Sequence, residues 1–286
     1  MLKDRRKMVV IWSAALAVVT LVIIGVFMKF WLDTRDLQIA DEEAARVPDN
    51  VRIVSKFVSP GETEVLDLVQ RALAIRDPAK VDALFRTGAA TPGQVVEFLV
   101  GSAARDGRVL QSDWLQSMDI DGLLLEGVLV TYELDHTRSA RLAFLTPDDA
   151  GVWKVDFEAF ARSSRPPWKD FMEGRAERAV VRVIVARDTY FNWPFQDDSQ
   201  WACFGIASPE LPQLMADGQD MVRGYCRVGS AQEKALSSIL TDDNTSSRAV
   251  MEIRRVEGAE ARQFEITRVL AREWVLPPKS FDEKFN

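Results

Sequence analysis

His136 is the only histidine among 286 residues, and Cys203 and Cys226 are the only cysteines. Acid–base, nucleophilic or metal chemistry therefore has few residues to draw on. A lone histidine works as a general base only beside a positioned nucleophile or carboxylate; His136, closing an expected strand on the face of Tyr132 and Leu134, reads as a sheet-edge or loop residue. Two Cys and one His are too few for a Cys/His structural zinc site. Asp119-Ile120-Asp121-Gly122 lacks the third acidic ligand and the position-twelve Glu of a calcium loop. The pairs Asp148/Asp149 and Asp242/Asp243 read as turns. There is no GxSxG elbow, P-loop, GxGxxG, HExxH or CxxC in the chain. No catalytic residue, metal or cofactor is expected.

Two constellations remain. Cys203 and Cys226 fall on neighbouring expected strands, so they form either a disulfide, if the cross-strand geometry allows one, or two separate buried thiols acting as small hydrophobes. Tyr190, Phe191, Trp193, Phe195 and Trp201 crowd one loop. Such rings stack on single strands or sugars, or they make a hydrophobic mini-core that plugs a barrel end or docks on the preceding module. The neighbouring charges are Asp188, Asp197 and Asp198 against Arg187, and the chain carries a net charge of -7. That is the wrong sign for a nucleic-acid groove. The arginines of the last two strands, Arg254, Arg255, Arg262, Arg268 and Arg272, are interleaved with glutamates and read as cross-strand ion pairs.

The elements that must position these residues begin with a hydrophobic run. Met8 to Met28 carries no charge, and 21 residues at about 1.5 Å each reach roughly 31 Å, enough for a hydrocarbon core. Lys3, Arg5, Arg6 and Lys7 precede the run, which keeps residues 1–7 in the cytoplasm by the positive-inside rule. A cleavable signal peptide has a shorter apolar region ending in a small-x-small site, whereas Phe27-Met28-Lys29-Phe30-Trp31 follows here. Residues 8–32 are thus expected to be an uncleaved signal anchor in membrane lipid, with Trp12, Phe30 and Trp31 at the interfaces. The remainder is expected outside the cytosol of a bacterial inner membrane. Net charge partitions as +4 over residues 1–32, -9 over 33–174 and -2 over 175–286.

After a polar spacer at 33–50, three helices are expected. Ser59-Pro60-Gly61-Glu62 and Thr91-Pro92-Gly93-Gln94 match capping boxes with Pro at the first helical position, and Asp77-Pro78 opens a short helix with Val81, Leu84 and Phe85. Period two then predicts four antiparallel strands, at 109–118, 123–135, 139–145 and 152–161. Helices followed by a strand meander imply an α+β layer with helices packed on a curved antiparallel sheet. Over residues 51–174 this order resembles the NTF2-like or cystatin-like superfamily. The resemblance implies a cone with an apolar pocket for a small molecule, with Tyr132, Phe144, Trp153 and Phe157 as candidate lining.

A break at Ser163-Ser164-Arg165-Pro166-Pro167 puts a boundary near Glu173. Strands from Ala179, at 201–207 and at 222–228, a helix capped at Ser230, and strands at 249–256 and 263–275 follow. This βββαββ order resembles a small OB-like β-barrel over residues 175–278, with 279–286 as a tail. Two modules on a tether, without a reactive constellation, predict a non-catalytic membrane-anchored scaffold that binds another envelope protein and no nucleic acid. Small-molecule binding in the first module and glycan binding by the aromatic loop are the alternatives.

Overall fold

The computed structural model describes residues 57–120, 122–208, 211 and 221–286, within one compact unit spanning 53–286. The expected anchor and spacer lie outside the described residues. Among those described, no helix is long and apolar enough to cross a membrane. The fold is α+β, with two five-stranded sheets.

Helix α1 (Glu62–Leu73) buries Val65, Val69 and Ala72. Its expected capping box does not form: Gly61 is the N-cap and offers no side chain, while Ser59 donates to the Glu126 carboxylate. A single 3-10 turn, Pro78–Lys80, capped by Asp77, leads into α2 (Val81–Leu84). Phe85, expected on that helix, instead opens β1 (Phe85–Arg86), which pairs in parallel with β5 (Trp153–Asp156). Helix α3 (Pro92–Arg105) starts with the reciprocal Thr91/Gln94 capping box.

Strands β2 (Arg108–Ile120), β3 (Leu123–Leu134) and β4 (Thr137–Pro147) complete a sheet of order β1-β5-β4-β3-β2. His136 sits with Asp135 in the two-residue β3–β4 turn, both with positive φ. Leu124, Val128, Val130 and Tyr132, at alternate positions of β3, face α1 and α3. The last expected strand stops early. Asp156 ends β5 and caps α4 (Phe157–Ala161), accepting from the Ala159 N–H at 2.8 Å.

After α5 (Trp168–Met172) the chain enters a closed barrel of β6 (Arg178–Asp188), β7 (Trp201–Ala207), β8 (Met221–Arg227), β9 (Ser246–Arg254) and β10 (Gln263–Ala271). The ring runs β6-β7-β8-β10-β9 and back to β6, with only β8–β10 parallel. Helix α6 (Ala231–Ile239) is capped by Ser230 and buries Ala235 and Leu236 in the barrel core. The C-terminal segment is no loose tail: Phe281–Phe285 forms a 3-10 helix whose Phe281 and Phe285 join that core. Buried Asp282 there accepts from the Val269 N–H at 2.9 Å and pairs with Arg268 at 3.1 Å.

Two sheets, yet one body: the outer face of β6 is buried against the first sheet. Arg182 is 1% exposed, since the strand's inward positions Val181, Val183 and Val185 fill the barrel and turn it outward. It donates to Glu158 Oε2 at 2.7 Å and to the Trp274 carbonyl at 2.9 Å. Trp274 in turn donates its Nε1–H to the Val183 carbonyl at 3.0 Å and packs with Ile120, Leu125 and Phe144 of the first sheet and with Ala159 of α4. Glu158 lies so close over Gly88 that a Cβ there would stand 2.5 Å from its Cδ. Gly88 also has φ +64, so both space and backbone require glycine at this position.

Candidate functional site

Of the four residues expected to line a pocket, three come together and one lies apart. Tyr132, Trp153 and Phe157 join one buried cluster with Val65 and Val69 of α1 and Val95 and Leu99 of α3. Phe157 meets Phe98 and Phe85 edge-on, at centroid distances of 5.4 and 6.1 Å. Phe144 stands opposite Gly127 in the ladder, hence on the other side of the sheet, against Trp274. Burial pushes the Tyr132 phenol up to about 12, so it is no proton donor of use near neutrality.

One polar group on the helix-facing side went unread in the sequence. Glu126 is fully buried, and its carboxylate accepts from Trp114 Nε1 at 2.8 Å, from Ser117 Oγ at 2.6 Å and from Ser59 Oγ. Three donors satisfy its two oxygens, as a buried polar group requires. The signal was available: Glu126 interrupts the apolar series Leu124, Val128, Val130, Tyr132 on one strand face. Because Trp153 Nε1 also holds the Val58 carbonyl at 3.2 Å, these groups pin the segment leading into α1. Among the described residues, no group of three His, Cys, Asp or Glu side chains could hold a metal ion.

The aromatic residues after β6 do come together, but neither in the barrel mouth nor against the first sheet. Loop 189–200 folds back over the outer face of β7 and β8. Phe195 stacks on Tyr225 at 4.1 Å and meets Trp201 edge-on at 4.9 Å, while Phe191 touches Tyr225 and Cys203 joins the cluster. The loop's polar groups are held as firmly. Tyr225 donates its hydroxyl to the Tyr190 carbonyl at 2.8 Å; Asn192 is fixed between Glu260, at 2.6 Å, and Gln263. Tyr190 and Trp193 remain outside, 40% and 67% exposed. Arg223 lies over the Tyr190 ring at 4.2 Å while pairing with Asp188 at 2.9 Å.

Cys203 stands opposite Tyr225, and Ala202 opposite Cys226. One residue of offset puts the two thiols on opposite faces of the same strand pair, Cys203 under the aromatic loop and Cys226 in the barrel core. Both are free, so the disulfide that the sequence left open does not form. Burial raises Cys203 to about 11 and Cys226 to about 12, which keeps both protonated and unreactive at neutral pH. Alkylation of the native protein should therefore leave both unmodified, and alkylation after denaturation without reductant should modify both. A Cys203–Cys226 bridged peptide in the non-reduced digest would contradict this register.

Comparison of the chain with known protein families, with curated proteins and with solved structures finds no match. What the side chains can do chemically therefore rests on the geometry alone. The buried carboxylates are engaged, and the thiols are inert. The reachable features are the edge of the first sheet and the aromatic loop of the barrel.

Proposed function

We propose that the chain is a non-catalytic scaffold that binds another protein of the cell envelope, tethered to a bacterial inner membrane by residues 8–32 with its bulk outside the cytosol. The observation that carries this reading is the edge of β2. This strand is last in its sheet and, among the described residues, pairs with β3 alone. Its first four residues, Arg108–Gln111, are exposed, with Val109 at 47% and Leu110 at 38%. Among the described residues this edge, on a strand of 13 residues, is unpaired and offers backbone donors and acceptors to an incoming strand. Register shifts at Val109/Gln111 and Trp114/Gln116 bend that edge, which favours a partner of matching shape over indiscriminate pairing.

The remainder of the fold is consistent with a scaffold. The helices laid on the first sheet support its NTF2-like reading, and the connectivity of the second supports an OB-like barrel. The rival reading of an apolar pocket draws no support from Tyr132, Trp153 and Phe157, which are packed against helix side chains. A photo-crosslinking residue at Leu110, in the full chain in intact membranes, is expected to capture a discrete protein that the same group at exposed Val228 does not. Absence of any protein adduct from position 110, with the scaffold present at its normal level, would overturn the proposal.

A further inference from the structure

Trp193 and Tyr190 are the only large aromatic side chains substantially exposed among the described residues, and they share one loop. An indole left 67% exposed at the tip of a well-fixed loop calls for an explanation. Its edge is set against the β9–β10 hairpin, where a Cβ on Gly258 would lie 3.1 Å from Trp193 Nε1. Asn192 fastens the loop to the same hairpin through Glu260 and Gln263. The rings beneath are already satisfied, Phe195 and Tyr225 being fully buried. The arrangement is a preformed platform: one exposed indole on a loop whose next residue back, Asn192, donates to both the Glu260 carboxylate and the Tyr190 hydroxyl.

We propose that this platform is a binding site for a neutral saccharide, with a pyranose ring laid on the Trp193 indole. The observations favour that ligand class over three others. An anionic ligand would need a cation at the tip, but Arg223 is engaged by Asp188 and by the Tyr190 ring, and the charged group bonded to the loop beside Trp193 is the Glu260 carboxylate. A polyproline helix needs a groove between aromatic walls, and here the second wall, Tyr190, has Arg223 over its ring. A protein interface of ordinary size buries roughly 800 Å² per partner around a cluster of anchors, whereas one indole face is a small apolar target. A sugar ring matches it: C–H groups on one face for the indole, and hydroxyls that can donate to the carboxylate and phenol of the same loop and hairpin. This inference stands apart from the β2 edge, and either can fail without the other.

The test uses the full chain in detergent, with tetra-N-acetylchitotetraose as a neutral saccharide probe and decaproline as the competing one, read by saturation-transfer NMR and calorimetry. The saccharide is expected to bind with millimolar affinity. Trp193→Ala should weaken it at least about tenfold, the equivalent of about 1.4 kcal/mol, and Trp193→Phe should retain binding because a flat ring remains. Circular dichroism of each variant verifies the fold. No saccharide binding by the parent, binding unchanged in Trp193→Ala, or binding of decaproline in place of saccharide would each overturn the proposal.

Discussion

Replacing Arg182 with Met is expected to lower the stability of the chain by about 3–5 kcal/mol, the range for breaking a buried ion pair from one side. The guanidinium is 1% exposed and its partner Glu158 7%, at 2.7 Å. Methionine fills a comparable volume, so the loss is electrostatic: Glu158, the Trp274 carbonyl and the Ser163 carbonyl all lose a donor. Arg165, on Glu158 at 3.3 Å, is 45% exposed and cannot replace a buried charge. Asp156 supplies a pH signature. Burial already holds its carboxyl above the usual range, opposed by the Ala159 N–H and by Arg182. Without Arg182 that folded-state value moves further above the unfolded one, so the native state binds its proton more tightly. Stability then rises as pH falls, and the deficit of Arg182→Met should narrow between neutral pH and a pH just above the ordinary carboxylate range. Urea denaturation of parent and variant at both pH values checks this. A deficit under about 1 kcal/mol, or one that grows on acidification, would contradict the buried pair.

Trp274→Ala is the second large effect, at about 3–5 kcal/mol. The ring is 3% exposed and packs between the sheets, with Phe144 and Leu125 on one side and Ile184 on the other. Arg162 lies 4.9 Å over it, and its Nε1 holds the Val183 carbonyl at 3.0 Å. Truncation opens a cavity at the junction and orphans a buried carbonyl. Because both sheets contribute to this cluster, the variant should unfold earlier in one shared transition. Calorimetry that showed two transitions, only one of them shifted, would mean that the sheets are stabilised independently.

How legible this was in the sequence depended on whether the cause was local. The Thr91 capping box, the Asp77 cap and the period-two run of β3 are short-range patterns, and each forms where the residues place it. Ser59 carried the same local signature as Thr91 yet points elsewhere, because Glu126, 67 residues away, competes for its hydroxyl. Phe85 and Phe157 satisfied a helical and an alternating pattern respectively. Tertiary pairing of Phe85 with Val155 and the Asp156 cap reversed both assignments, since short elements take their state from their neighbours. Arg182 interrupts the apolar run VVRVIVA in plain view, and Trp274 follows β10. Nothing nearby in sequence reveals that they meet, or that Glu158 completes the set. The aromatic loop was recognisable by composition, but its seat on the outside of β7 and β8 depends on the barrel's closure.

The two sheets are held as one body by the Arg182–Glu158 pair and the Trp274 cluster. Spin labels at Val100→Cys on α3 and Val228→Cys beside the barrel, both exposed and with the native thiols buried, read this directly by pulsed electron resonance. A single narrow distance distribution, broadened in Arg182→Met, is the predicted result. A broad or multi-peaked distribution in the parent protein would contradict it.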